Sequence, residues 1–431
     1  MINHISFIKI IQELCKSNLG YFFLLPENTN KQMRSKQIKS IKLLLVILII
    51  SKPEISNAGN ANVSLKFGNG LTISDADSTM SFNFGIASQS RIEVNKFFDK
   101  NSKPTITFME RRLRLKFGGY FLNQKLEYKI LLSLSPQDVK IGNVFLDGNI
   151  KYKPIKQFAL QFGQGKLPGD RENIASAENQ FFSERSTTNL LFRLDRDFGV
   201  QLFGNFGKTF IFKPTLSIAS GEGRNYNMTD VQHFDYTVRF DFLPIGEFAE
   251  KGDYSLQDFA REPKPKIAVG VAYDFNNKSS LQKAQNGGSF IPDSVRNNLH
   301  TIYTDAILKY KGLTTIAGYI YRKATDNKLY LAGQSFYASV SYLFKKKLEL
   351  GTRYNRSFSG KIGNIPTVNE YSVGVAYYVF KNAFKLQTDY TIAQNITTKK
   401  TNGIWHFQMQ FSGRFQYQNS RSKQQHYSQQ H

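Results

Sequence analysis

The feature that most constrains this chain is a strict alternation of apolar and polar side chains, repeated in segments of about ten residues, which is the period of a strand and not of a helix. Near the C-terminal end Trp405, Phe407, Met409, Phe411 and Phe415 fall on one face, and His406, Gln408, Gln410, Ser412 and Arg414 on the other. Leu113, Leu115, Phe117 and Phe121 alternate with Arg112, Arg114, Lys116 and Tyr120, and Leu126, Tyr128, Ile130, Leu132 and Leu134 with Lys125, Glu127, Lys129 and Ser133. Beyond the N-terminal region no stretch approaches the ~18 consecutive apolar residues of a spanning helix, and mean hydropathy is −0.38. Aromatic residues nevertheless make up 14% of the chain, with 37 Phe and 22 Tyr. Each segment therefore has one greasy face and one wet face that carries Arg, Lys, Gln, Ser and Asp. Such a wet face would ruin a packed soluble core but suits a water-filled lumen.

Sixteen segments fit the pattern: 81–91, 108–122, 125–134, 143–153, 156–163, 197–206, 208–219, 234–243, 265–275, 300–310, 312–322, 334–344, 347–358, 369–380, 383–393 and 404–415. Their connections alternate in length. Those at 92–107, 135–142, 164–196, 220–233, 276–299, 323–333, 359–368 and 394–403 are long; those at 123–124, 154–155, 207, 311, 345–346 and 381–382 are short. Bacterial membrane barrels alternate long external loops and short periplasmic turns in this way. The segment 244–264 breaks the rule and is read as an elaborated periplasmic turn, because every later connection keeps its phase. The lysines 345–347 read as a solvated turn. The expected fold is all-β: a closed transmembrane antiparallel β-barrel of about 16 strands, whose size opens an aqueous channel. Closure pairs every backbone group inside hydrocarbon.

The N-terminus reads as an export signal. Arg34, Lys36, Lys39 and Lys42 precede eight apolar residues, 43–50, and then Ser56-Asn57-Ala58, so cleavage is expected after Ala58. Met33 stands where a signal peptide of ordinary length begins, so 1–32 reads as an upstream extension, with a genuine long leader as the alternative. The expected organisation is leader and signal peptide 1–58, barrel 59–417 and polar tail 418–431. The single cysteine, Cys15, precedes the cut, which leaves no thiol or disulfide chemistry. The leader holds eight Lys/Arg and three Asp/Glu, so the remainder carries 57 − 8 = 49 basic and 33 − 3 = 30 acidic groups, +19. This excess implies anionic partners: nucleic acid, lipopolysaccharide or small anions in a channel. Export makes nucleic acid the poorest of these.

The stretch 163–201 is too long for a tight connection and too basic and aromatic for a flexible linker; long ordered loops are usually functional. It is expected to fold inward as a constriction loop. It carries Gly163-Gln164-x-Lys166-x-Pro168-x-x-Arg171-Glu172, then Glu184-Arg185-Ser186, then Asp195-Arg196-Asp197-Phe198-Gly199-Val200-Gln201. With Phe67-Gly68-Asn69-Gly70-Leu71, Asp77-Ser78-Thr79, Arg111-Arg112-Leu113-Arg114-Leu115, Gly221-Glu222-Gly223-Arg224-Asn225 and Pro263-Lys264-Pro265-Lys266, these motifs resemble the phosphate-selective porins of the O and P type, over nearly the whole chain after the leader. The resemblance implies a sixteen-stranded outer-membrane barrel of a Gram-negative cell, usually trimeric, with basic residues along an anion path and outer-membrane lipid and lipopolysaccharide around it. Two departures stand out. The loop's Lys166, Arg171, Arg185, Arg193 and Arg196 are tempered by Asp170, Glu172, Glu178 and Glu184, where better-studied members carry a dense arginine ladder. The chain also runs past Phe415 and Tyr417 into a polar tail.

A channel needs donors that replace part of an ion's hydration yet release it, and guanidinium forks suit phosphate. The candidate anion-path residues are Arg112, Arg114, Lys116, Lys166, Arg171, Arg185, Arg196, Arg239 and Arg353. Two readings of them stand. They form a basic wall, or they pair with inward Glu127, Asp147, Asp241 and Glu349 and the loop's own carboxylates and brace the barrel. None of the six histidines forms a metal-binding pair, no nucleophile motif occurs and no Gly-rich loop opens a helix, so neither an enzyme, a metal nor a cofactor is expected. The leading expectation is a passive outer-membrane channel for small anions, phosphate or polyphosphate first. The alternatives are a general, weakly selective porin and a structural or adhesive surface barrel.

Overall fold

The structure is a computed structural model. It describes residues 62–66 (backbone only), 70–75, 77–98, 102–138, 143–225, 233–325, 329–359 and 364–413. The leader 1–58, Arg414, Phe415, Tyr417 and the tail 418–431 lie outside the described residues.

The strands, in chain order, are β1 (Asn62–Lys66), β2 (Gly70–Ser74), β3 (Ser81–Phe97), β4 (Thr105–Phe121), β5 (Leu126–Ser133), β6 (Phe145–Ile155), β7 (Phe158–Lys166), β8 (Arg196–Gly204), β9 (Ile211–Ala219), β10 (Asp235–Leu243), β11 (Lys266–Asn276), β12 (Leu299–Tyr310), β13 (Leu313–Ala324), β14 (Gly333–Phe344), β15 (Leu348–Phe358), β16 (Val368–Phe380), β17 (Phe384–Asn395) and β18 (Lys400–Ser412). From β3 onward each strand pairs antiparallel with the next. The last returns to the first, with Asn402 opposite Phe97 and Ser412 opposite Ala87. Among the described residues the barrel β3 to β18 therefore closes with sixteen strands, and closure removes the sheet edges. No described helix is long and apolar enough to cross a membrane.

The alternation translates directly into an inside-out distribution. Outward Phe162, Val271, Val373, Tyr377, Phe407 and Met409 are exposed, while inward Gln89, Arg239, Asp389, Gln408 and Gln410 are buried. Each of the sixteen expected strands is present, with ends shifted by a few residues. The largest shifts are at β3 and β18, whose ends, with those of β4 and β17, close in on the loops between them. There the expected loops 92–107 and 394–403 shrink to 98–104 and 396–399, because backbone pairing runs past the point where alternation fades. The lysine turn is a tight one, in which Lys345 and Lys346 both take positive φ (45° and 62°) as a two-residue hairpin requires.

Two elements differ from expectation. The hairpin β1–β2 was not expected; its strands, five residues each, are too short to show a period. Strand β2 pairs with the foot of β3, Leu71 opposite Phe84 and Ser74 opposite Ser81, on the edge that β18 leaves at Ala87. The second is the connection 244–265. It does not form an outer turn but enters the lumen, burying Phe248, Leu256 and Phe259.

Candidate functional site

Two segments thus enter one lumen. From the β7–β8 side, residues 167–195 carry the short helices α1 (Arg171–Ile174) and α2 (Thr187–Phe192). Each is capped as its sequence dictates. Asp170 accepts from Asn173 N (3.3 Å) and Ser186 Oγ from Asn189 N (3.2 Å), which satisfies amides that a helix start leaves free. The loop then spans the lumen and is tied to distant strands through its backbone. Ser183 N donates to Asp389 Oδ2 (2.9 Å) and Thr188 N to Asn355 Oδ1 (3.0 Å). Lys385 Nζ donates to the Gln180 carbonyl (2.6 Å), and Arg322 Nη2 and Tyr303 Oη to that of Phe192 (2.7 and 2.9 Å).

The connection 244–265 meets this loop from the other end. Gln257 donates to the Asn179 carbonyl (3.0 Å), and Arg171 Nη1 to that of Asp253 (2.9 Å). Apolar clusters seal the junction: Phe248 and Leu256 with Ala175, Ile307, Ile316 and Tyr337, and Phe259 with Phe181, Phe182, Leu343 and Tyr378. The lumen beside β10 to β17 is therefore the more closely filled, with a cavity of about 170 Å³ between the 244–265 segment and Lys309. The larger open spaces lie against β4 to β10, as cavities of about 540 Å³ and 360 Å³, the second reaching Arg239, Asp241 and Tyr254. A smaller cavity of about 90 Å³, called the neck below, sits between β4, the loop and residues 193–224.

The candidate residues divide along the same line. Arg171 is fully buried, and its guanidinium meets Asp241 (2.5 Å) and Asp305 (2.9 Å). Arg239 bridges the same two carboxylates at 2.8 Å each, and Tyr254 Oη donates to Asp241 (2.6 Å). Two cations and two anions cancel here, in the manner of a brace. Arg353 donates to the Glu184 carbonyl (3.0 Å) and stacks on Phe182 (4.4 Å).

The others gather on the open side. Arg114 grips Asp138 with two bonds (2.7 and 2.9 Å), Lys116 reaches Glu178 (2.5 Å), and Arg196 reaches Asp147 (2.5 Å) and Asp195 (3.3 Å). Lys166 Nζ binds carbonyls at the end of α1, those of Asn173, Ile174 and Ala175 (2.6–3.2 Å), and Arg185 binds those of Glu172 and Ala175 (3.0 and 2.9 Å). Arg112 donates to Gln89 (2.7 Å) and Glu184 (2.8 Å), and its buried Nε, 3.8 Å from Asp138, has no hydrogen-bond partner among the described residues.

Several contributors were missed from sequence. A bulge in the β3–β4 pairing inserts one residue after Glu110, so Arg111 and Arg112 both turn inward. Arg91, Arg111 and Arg112 converge on the single Glu184 carboxylate (3.1, 2.9 and 2.8 Å). Burial opposes that charge, but the three guanidiniums hold it well below the ordinary carboxylate range. Asp138 is likewise held low: burial opposes its charge, and Arg114 and Arg112 outweigh burial. Arg224 reaches the neck from the loop after β9, 3.5 Å from Asp195. The sequence signals for these were the repeated arginines of the 111–114 motif, Arg224 in the 221–225 motif and Glu184 in the 184–186 motif; Arg91 had none.

Around the neck stand Arg111, Arg112, Arg114, Lys166, Arg185, Arg193, Arg196 and Arg224 against Asp138 and Asp195, eight cations to two anions. Burial first, and then the neighbouring guanidiniums of Arg112 and Arg193, push Arg185 down to about 9, while Glu172 and Glu184 oppose the shift. Among the described residues no group of three or more His, Cys, Asp or Glu side chains is placed to hold a metal.

A closed barrel with an aromatic exterior, a polar lumen and a folded-in loop defines an outer-membrane porin, a channel and not an enzyme. The chain belongs to the family described as phosphate-selective porin O and P, whose profile matches residues 84–418. Among solved structures, an anion-selective porin from Comamonas acidovorans is similar at 8% identity, covering 77% of this chain and 99% of that one with a TM-score of 0.52. A loop L8 deletion mutant of OmpT, an outer membrane protein of Vibrio cholerae, is similar at 14% identity over 78% and 99% with a TM-score of 0.50. At these identities the likeness speaks for the fold. No curated protein matches the chain.

Proposed function

We propose that this porin passes small anions, phosphate or polyphosphate first, through the off-centre passage along β4 to β9. The observation that carries this reading is the neck, where eight cations face two anions. Arg112, Arg114, Arg185 and Arg196 would offer forked donors to phosphate oxygens, with Lys166 and Lys116 as point charges beside them. Arg171, Arg239 and Arg353 would act indirectly, by holding the loop. A general, weakly selective porin is the second reading. It is favoured by the carboxylates already engaged by Arg112, Arg114, Lys116 and Arg196. In this reading of the whole chain, 1–58 is removed on export, 59–417 forms the barrel, 418–431 is a tail, and the protein works as a homotrimer among outer-membrane lipid and lipopolysaccharide.

The test is single-channel recording in a planar bilayer across a KCl gradient, followed by phosphate. A reversal potential favouring chloride, with phosphate blocking the chloride current, is the expected result. An open pore without charge preference would give way to the general-porin reading, and a closed one to the structural barrel.

A further inference from the structure

Two buried carboxylates meet at the loop end of β10 and β11. In the register of these strands Thr237 stands opposite Asp274 and Asp235 opposite Asn276, and all four side chains are buried on the inward face. Thr237 Oγ1 lies 3.2 Å from Asp235 Oδ2 and 3.1 Å from Asp274 Oδ1. A hydroxyl carries one proton, so one donor serves two acids. The remaining oxygens, Asp235 Oδ1 and Asp274 Oδ2, have no hydrogen-bond partner among the described residues.

A third side chain is in the same condition. The loop between β11 and β12 sets Gln285 against Asp235. Gln285 is 3% exposed, and neither polar atom of its amide has a hydrogen-bond partner among the described residues. The surrounding charge does not balance. Asp197 adds a third carboxylate, itself held by Ser220 Oγ and the amides of Phe198 and Gly221 (2.5–2.7 Å). The Arg322 guanidinium opposes Asp274 but donates elsewhere, to Thr301 Oγ1 (3.0 Å) and the Phe192 carbonyl (2.7 Å). Two buried like charges that share one donor need a cation or a proton between them.

We propose that Asp235, Asp274 and Gln285 bind a calcium ion. The two carboxylates match a divalent charge, and the Gln285 amide oxygen adds a neutral ligand of the kind calcium accepts. Magnesium demands a stricter octahedron and keeps several waters, which a group this closed to solvent does not supply. A proton shared by the two acids is the rival occupant, but it would leave the Gln285 amide unanswered. The ion would act as a fastener and not as a permeant. It would join β10 and β11 to the loop 277–298, whose Asn286 donates to the Leu190 carbonyl (2.8 Å) and accepts from Arg193 Nε (2.9 Å) of the constriction loop.

The test uses protein extracted from outer membranes into detergent and stripped with EGTA, with CaCl2 or MgCl2 as the probe. Equilibrium dialysis with radiocalcium gives the stoichiometry, and thermal unfolding gives the linked stabilisation. The expected result is one saturable calcium per chain beyond what Asp274→Asn binds. Calcium should raise the melting midpoint at lower concentration than magnesium does, and should not raise that of Asp274→Asn. For Gln285→Leu the dissociation constant should rise on the order of tenfold or more, as for losing one polar contact to a charge. Asp293→Asn, which neutralises an exposed carboxylate on the same loop, should behave as wild type. If Asp274→Asn does not fold, Gln285→Leu decides alone. A midpoint indifferent to calcium, or equal calcium binding by wild type and both site variants, would overturn the site. An Asp274→Asn protein more stable than a calcium-insensitive wild type would assign the pair to a shared proton instead.

Discussion

The two sides of the lumen use the same residue types to opposite ends. Beside β10 to β17, Arg171 and Arg239 each meet Asp241 and Asp305, and the charge cancels in a closed quartet. Beside β4 to β9, Arg112, Arg185, Arg193 and Arg224 crowd a neck that has two carboxylates in its lining. A guanidinium is always charged, so its role is decided by its neighbours. Where acids match it one for one, it fastens a loop; where they fall short, it leaves, on the proposed reading, a field for a passing anion. The packed side also explains how the open side keeps its shape, since the loop that forms the neck is anchored on the far wall.

The largest test of this contrast is Arg171→Met. It leaves Arg239 as the one cation facing two buried aspartates on the packed side, so one buried negative charge goes uncompensated, at a cost of about 3–5 kcal/mol. The expected outcome is a clearly lower thermal midpoint and a larger, noisier conductance; a melting curve like wild type would mean that the quartet does not hold the loop. Arg185→Gln acts on the open side. One cation at ~4 Å from a permeant ion in wet surroundings contributes about 1 kcal/mol. Chloride preference should therefore fall about fivefold, with a moderate loss of stability from the two carbonyl bonds to Glu172 and Ala175, and a melting shift as large as that of Arg171→Met without a change in selectivity would merge the two sides into one. Tyr254→Phe removes a single hydrogen bond to Asp241. It should cost about 0.5–1.5 kcal/mol, visible in unfolding and silent in selectivity.

The smallest expected effect is with pH. Glu184 ties the loop to three arginines, and its folded value lies well below its ordinary 4.5. A depressed acid contributes stability that is fully present above 4.5 and is lost only as pH falls through the lower folded value. The Glu184 tie should thus hold from pH 7 to about 5 and loosen, widening the conductance, only in stronger acid, whereas Asp170, the cap of α1, is pushed up to about 6 by burial and by neighbouring Glu172. A change near pH 6 would show that another group controls the loop.

Strand number, facing and phase were legible in the sequence because each rests on a local period of two: Trp405 and His406 announce opposite faces without any knowledge of their neighbours. So was the identity of 163–201 as the loop that enters the barrel. The inward turn of 244–265 was not, since its apolar Phe248, Leu256 and Phe259 look like any surface turn until β12 to β16 stand across from them. Nor was the insertion at Glu110, which rotates Arg111 and Arg112 together into the lumen, because a bulge depends on the pairing strand. The sequence alone determined a barrel whose inward faces carry both basic and acidic side chains, in a chain with basic groups in excess. Which of those charges are cancelled was decided only by tertiary structure. Arg171 and Asp305 lie 134 residues apart in the chain, and Coulomb energy depends on distance in space, which closure of the barrel alone sets.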